Sequence, residues 1–178
     1  MMPSISPASR KRTDVRPVPL PSDCAVTSWY AGADLADAFA VRLPGPGPHD
    51  LSRLAEAALS NPAAWVTMAM WLRDGAVRPF GVRTSGQIRT RLETGGRDRI
   101  GFFPVLSRSD REIVLGEDDR HLDFRLSLLL VTRDDGREDL TATSVVRCHN
   151  LFGRAYLAAI HPGHVRVVRS ALARAGMR

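Results

Sequence analysis

From residue 100 onward the apolar residues recur at every second position, and the links between the alternating runs are short. IGFFPVLSRS and REIVLGED flank Ser109-Asp110. HLDFRLSLLLVTR and LTATSVVRCHN flank DDGRED, where Asp135-Gly136 is a strong hairpin-turn signal. A parallel neighbour needs a crossover of about a dozen residues or more, and none of these links is long enough. The pattern predicts at least four strands in meander order, paired antiparallel. Such a sheet has an apolar face that the rest of the chain must cover.

The flanking segments supply the cover. Residues 1–22 carry Pro3, Pro7, Pro17, Pro19 and Pro21, with Arg10, Lys11, Arg12 and Arg16 against Asp14. They read as a flexible, basic, proline-rich arm ahead of a single domain over 23–178. FAVRL at 39–43 reads as a short strand before the breaker cluster PGPGP. Two helices follow. Asp50 is the N-cap candidate ahead of the stripe Leu51, Leu54, Ala55, Ala58, Leu59, and Asn61-Pro62 restarts a second helix, PAAWVTMAMWLRDGAV. That second helix carries Trp65, Met68, Ala69 and Leu72 on one side with Trp71 offset. Core packing and the lining of a ligand space both fit. Residues 81–99 are polar and glycine-containing and read as a loop; without GKS or GKT the stretch is no phosphate loop. Asn150 can cap a last helix, LFGRAYLAAIHPGHVRVVRSALARAG, in which Pro162-Gly163 predicts a kink or break and Gly176 a C-cap. The order predicts an α+β fold: a curved antiparallel sheet wrapped around a long C-terminal helix, with two helices after the first strand. This is the helix-grip arrangement, and a sandwich with a filled core is the alternative.

The chain of 178 residues carries a formal net charge of +6, and all but one of its 25 basic residues are arginine. Beyond the arm, the positive charge gathers in residues 147–178, which hold arginines and no acid. Basic ends favour nucleic acid or anionic membrane. No helix-turn-helix, zinc-finger, RNP or KH pattern accompanies them, so no nucleic-acid partner is expected. Cys24 and Cys148 lie far apart and form neither a CxxC pair nor a disulfide framework, which makes a reducing compartment the default. The first residues lack the apolar region of a signal peptide, and no apolar run reaches the roughly 18 residues of a spanning helix. A cytoplasmic protein without a membrane span and without a cofactor is the expectation.

The polar group GEDDRHLDFR, residues 116–125, sits beside the most apolar run of the chain. Asp118, Asp119, Arg120, His121, Asp123 and Arg125 fall at the sheet end to which Arg147, His149 and Asn150 return, with Arg154 one helical turn later. Strand alternation puts Asp119, His121, Asp123 and Arg125 on one face, and Leu122 and Phe124 on the other. A symmetric two-residue turn pairs Asp123 with Cys148. A slip of one residue sets it against Arg147 or His149, and a longer loop or bulge across Arg133 to Glu138 leaves that choice open. Three chemistries compete here. Asp119, His121, Asp123 and His149 offer metal-ligand types, but the neighbouring arginines and the absence of HExxH and CxxC argue for no metal. An acid–base site would use His121 or His149, oriented by Asp123 or Asp119. A structural network would use arginine forks and carboxylates to clasp the sheet end to the terminal helix. Cys148 beside His149 is no triad signal, because adjacent strand residues point oppositely. His161 and His164 bracket Pro162-Gly163 and read as partners of broken carbonyls or as solvent-facing; His49 reads as a loop residue.

The stretches YAGADLADAFAV, PAAWVTMAMWLRDGAVRPFGV, FFPVLSRSDREIVLGEDDRHLDFRLSLLL and VVRCHNLFGRAYLAAIHPGHVRVV together resemble the bacterial domain-of-unknown-function family 2867, across residues 29–172. The specific part is a pair of motifs, close to GxDDRHLDFR and HNxxGRxYL. They stand here as Asp118, Asp119, Arg120, His121, Asp123 and Arg125, and as His149, Asn150, Gly153, Arg154 and Tyr156, with Pro162 after them. Relatives often carry an aromatic residue after that proline, where this chain has Gly163. The resemblance implies a START-like, polyketide-cyclase-like helix-grip architecture and brings no assigned reaction. Some relatives are fused behind short-chain-dehydrogenase-like domains; no GxGxxG fingerprint opening a βαβ unit occurs here.

Three function classes follow. The first is a small apolar or amphipathic molecule held between sheet and C-terminal helix, with Trp65, Met68, Trp71, Phe102 and Tyr156 as lining candidates. The second is a cyclase- or hydratase-like enzyme with His121 or His149 as general base and Asp123 orienting it. The third is a structural or interaction module, monomeric or homodimeric through an open sheet edge.

Overall fold

The computed structural model describes residues 14–60, 98–101 and 103–177. Its strands are β1 (Val15–Pro17), β2 (Leu35–Arg42), β3 (Arg99–Ile100), β4 (Phe103–Arg108), β5 (Glu112–Asp118), β6 (Leu122–Thr132) and β7 (Glu138–Cys148). They form one curved sheet in the order β1-β2-β7-β6-β5-β4-β3, every neighbouring pair antiparallel. The meander expected from the short links is β4 to β7. The remaining large pairing, β2 on β7, joins strands far apart in sequence and sets Leu35 opposite Val146 and Arg42 opposite Asp139. Helix α1 (Leu51–Leu59) follows β2, and helix α2 (Leu151–Ala175) ends the chain. Asp50 caps α1 by accepting hydrogen bonds from the amides of Ser52 and Arg53. Arg174 of α2 donates to the carbonyl of Ala58 and so satisfies a late carbonyl of α1. The second helix expected from residue 62 onward lies outside the described residues.

Alternation builds the core. Phe39, Val41, Ile113, Leu115, Leu128, Leu130, Leu140 and Ala142 point to one side of the sheet, the inner face. There they pack with Leu51, Leu54, Ala55 and Ala58 of α1 and with Val168, Ala171, Leu172 and Ala175 of α2. Burying each large aliphatic side chain contributes roughly 1.5–3 kcal/mol. On the outer face, Cys24 and Val26 are buried against Val114, Leu129 and Val145, with Trp29 and Tyr30 beside them. Burial holds the Tyr30 phenol above its ordinary range, and its hydrogen bond with Cys24 adds to this. β7 is thus covered on both faces, which is why Leu140 to Val146 does not read as a clean in–out pattern.

Several expectations change. Val15–Pro17, part of the segment read as a flexible arm, is an edge strand: Val15 faces Val41, Pro17 faces Phe39, and Val15 is buried. A strand this short, bearing a proline, suits an edge. The strand read as FAVRL begins four positions earlier, at Leu35. α2 runs unbroken for 25 residues with Pro162 inside it. Pro162 and Gly163 are exposed, so the missing N–H falls on the solvent side, while Leu157 before it and Val168, Ala171 and Leu172 after it fix both halves. Gly176 does cap α2, its amide bonding to Leu172 O at 2.9 Å, but at φ −70° rather than in the left-handed conformation. The β6–β7 turn is not the symmetric two-residue turn. Arg133 N donates to Arg137 O and Gly136 N to Arg133 O, with Gly136 at φ +73°. That is a three-residue loop with glycine at its left-handed position, and the extra residue sets Asp123 opposite Arg147.

Candidate functional site

The end of the sheet is built by one tight turn and one helix start. Asp118 and Asp123 are the last paired residues of β5 and β6, so Asp119, Arg120 and His121 make the turn between them. Asp119 N bonds to Leu122 O at 3.1 Å and to Asp123 Oδ1 at 3.2 Å. The strand alternation assumed across this stretch therefore stops at Leu122, and His121 leaves the face that carries Asp123 and Arg125. Its carbonyl accepts the amide of His149 at 2.9 Å. Asn150 caps α2 through Oδ1, which accepts the Gly153 amide at 3.0 Å. The same Asn150 amide meets the His121 ring: Nδ1 lies 3.1 Å from Nδ2 and 3.3 Å from Oδ1, so it accepts from the first or donates to the second according to its tautomer. The His121 ring also meets Phe152, 4.8 Å between centroids. Gly153 lies against the His121 carbonyl so closely that a Cβ there would overlap the oxygen.

The charged residues divide among separate partners. Arg125, whose side chain is 13% exposed, binds Asp118 at 2.6 Å, not Asp119 or Asp123. His149 Nε2 lies 3.0 Å from Asp123 Oδ1, and the imidazole is 45% exposed. Among the described residues Arg147 meets no carboxylate: its guanidinium donates to the carbonyls of Ser28, Trp29 and Ala31 at 3.0, 3.3 and 2.9 Å. Arg125 and Arg147 both lie over the Trp29 ring, at 3.9 and 4.7 Å from its centroid. Arg154 binds Asp34 at 3.0 Å, and the same carboxylate accepts the Cys148 amide at 2.7 Å. That backbone bond is the main reason the Asp34 carboxyl sits below its ordinary value; burial opposes it and Arg154 adds to it. The Cys148 thiol is pushed up by burial and by the Asp34 charge. Arg120 is exposed at the tip of the turn. Residues 24–34 are thus strapped over the outer face, with Glu112 accepting the Ala25 amide at 2.9 Å and the Ser127 hydroxyl at 2.5 Å. Trp29 and Asp34 escape a reading of the two motifs, because they arrive from distant sequence.

A second polar group lies on the inner face. Asp37 of β2 and Ser144 of β7 are register partners, and each interrupts a row that is otherwise apolar: Leu35, Phe39 and Val41 on β2, and Leu140, Ala142 and Val146 on β7. From α2, His164 Nε2 reaches Asp37 Oδ1 at 3.4 Å in hydrogen-bonding geometry and stands 3.2 Å from Oδ2, where the direction is wrong for a hydrogen bond. Asp37 Oδ2 and Ser144 Oγ are buried without a hydrogen-bond partner among the described residues. His164 was expected at broken carbonyls or in solvent; instead it holds an acid of the sheet. The available signal was a lone acid at an inward position of a strand. His49 is likewise more than a loop residue, its Nδ1 lying 2.8 Å from Glu138.

Among the described residues no three His, Cys, Asp or Glu side chains converge to hold a metal ion, and no helix is long and apolar enough to cross a membrane. Of the lining candidates, Tyr156 is half-buried on α2, while Trp65, Met68, Trp71 and Phe102 lie outside the described residues. A family model described as a protein of unknown function, DUF2867, matches residues 29–171. No curated protein and no solved structure matches the chain.

Proposed function

The chain belongs to the DUF2867 family of proteins of unknown function, and on that basis we propose that it binds a small apolar or amphipathic molecule between the sheet and α2. The observation that carries this reading is a change of burial along the inner face of β6. Leu128 and Leu130 are buried beneath the helices, whereas Leu122, Phe124 and Leu126 on the same face are only half-buried. Phe103 meets Phe124 edge-on there, 5.7 Å between centroids. Adjacent large apolar side chains left partly in water forgo part of the roughly 1.5–3 kcal/mol that each could contribute. A ligand laid along them recovers it, and concave, mostly apolar surfaces with a few polar groups are where small molecules bind. Trp65, Met68, Trp71, Phe102 and Tyr156 are the further residues we assign to this lining.

Titration with the uncharged dye Nile red tests the reading. Saturable, one-to-one binding with a blue shift is expected, and Leu126→Trp, which fills the space, should abolish it while circular dichroism shows a folded protein. Absence of saturable binding, or a folded Leu126→Trp variant that binds like the wild type, would overturn it. The Asp123–His149 pair, 3.0 Å apart, gives the cyclase- or hydratase-like alternative its footing. It ranks second because Asp123 shares the outer face with Arg125 and Ser127, so the sheet stands between that pair and an inner-face ligand.

A further inference from the structure

Asp37, Ser144 and His164 give the inner face a polar end whose chemistry restricts what can bind. From them we infer that the ligand is an amphiphile whose head group donates hydrogen bonds, an alcohol or an amine, and not a fatty acid. This rests on the proposed binding between sheet and α2 and specifies its ligand. Ser144 is 5% exposed and its hydroxyl has no partner among the described residues; its neighbour Asp37 keeps Oδ2 without a hydrogen bond. Both project to the side of the sheet that α2 covers, since they alternate in register with Phe39, Val41, Leu140 and Ala142 of the core. Buried polar atoms are nearly always satisfied, and leaving one unmet is costly, so an unmet pair side by side calls for a partner.

The partner's character follows from the donor–acceptor inventory. An ionised carboxylate only accepts, and a serine hydroxyl accepts as well as donates. A head group carrying O–H or N–H can satisfy Asp37 Oδ2 and Ser144 Oγ together. An ammonium adds attraction to the carboxylate, whereas a ligand carboxylate would be repelled by it across a poorly screened gap. His164 holds the Asp37 carboxylate from the helix side, hydrogen-bonding Oδ1 and standing 3.2 Å from Oδ2 without a hydrogen bond, so the accepting capacity of Oδ2 is unused. The apolar body then has its surface next to this corner: Leu126 faces Ser144 across β6 and β7, and Phe124 faces Val146 one row on.

Displacement of Nile red by four ten-carbon compounds decides the matter: decan-1-ol, decylamine, decyl methyl ether (which lacks a donor) and decanoate. Decanol and decylamine should bind about ten-fold or more tightly than the ether, the effect of one to two hydrogen bonds to a buried acceptor, with decanoate weakest. Ser144→Ala, a small change in a packed row, should narrow the alcohol–ether gap, and Asp37→Asn should remove the discrimination against decanoate. If decanoate matches decanol in the wild type, or if the alcohol–ether gap is absent or unmoved in Ser144→Ala, the head-group inference is overturned. Binding of dye and ether would still uphold the site itself. If neither dye nor any alkyl compound binds, the site and the head-group inference fall together.

Discussion

At the scale of single residues, the turn over Asp119–His121 decides which partners the charged side chains around it meet. Arg125 was readable as part of an ion-pair network, yet its acid is Asp118, because the chain reverses over Asp119–His121 and alternation does not continue through the turn. Gly153 shows how far a contact can override an intrinsic preference. Alanine is favoured over glycine in an exposed helix interior by up to about 1 kcal/mol. At Gly153 a Cβ would overlap the backbone oxygen of His121, which belongs to the turn and cannot swing aside like a side chain. Gly153→Ala should therefore destabilise the protein by roughly 1–3 kcal/mol, as overpacking does. Gly163→Ala, in the same helix with nothing within 4 Å of the added carbon, should stabilise it by up to about 1 kcal/mol. Urea unfolding of both variants checks the opposite signs.

At the scale of elements, short-range pattern was enough for the β4–β7 meander, for α1 with its Asp50 cap and for α2 with its Asn150 cap. It was not enough for β1, whose three residues carry almost no periodic signal and become a strand only because β2 offers an edge. It also over-weighted Pro162. Proline in a helix interior removes one hydrogen bond and crowds the preceding turn at a cost of about 3 kcal/mol, which on local grounds ends a helix. Here the buried row Val168, Ala171, Leu172 and Ala175 keeps the second half on the sheet, so tertiary packing offsets the local penalty. Pro162→Ala should then raise the unfolding free energy by roughly 1–3 kcal/mol, part of the gain being returned through a more flexible unfolded chain. Should denaturant unfolding show no gain, the proline would be accommodated without strain.

At the scale of the whole molecule, two carboxylates fasten the N-terminal segment to the sheet. Asp34 ties its far end to Cys148 and Arg154. Asp139, with a side chain only 1% exposed, ties its near end, accepting from Arg16 of β1 at 2.5 Å, from Arg42 of β2 at 3.2 Å, and from Arg133. Burial alone would raise the Asp139 carboxyl, but the hydrogen bonds from Arg133, Arg42 and Arg16 outweigh it and the net position is below the ordinary value. Asp34 is also lowered. In both cases the unfolded chain takes up protons at higher pH than the folded one. The stabilisation is therefore complete above the unfolded value near pH ~4 and is lost as pH falls through the lower folded values. Asp139→Asn should lower stability near neutrality by about 1.5–3 kcal/mol, the range for hydrogen bonds to a charged group. The loss falls short of that for a fully buried pair because the three guanidiniums stay partly in water. Below the carboxylate range wild-type Asp139 is itself protonated, so the two stability curves should converge in acid. Hydrogen exchange should show β1 opening first as they do, since once Arg16 loses its acid β1 is held by a three-residue pairing with β2 and the packing of Val15. Urea unfolding across the acid range is the measurement: convergence supports the fastening, and parallel curves would mean that the arginines hold Asp139 no better than water does.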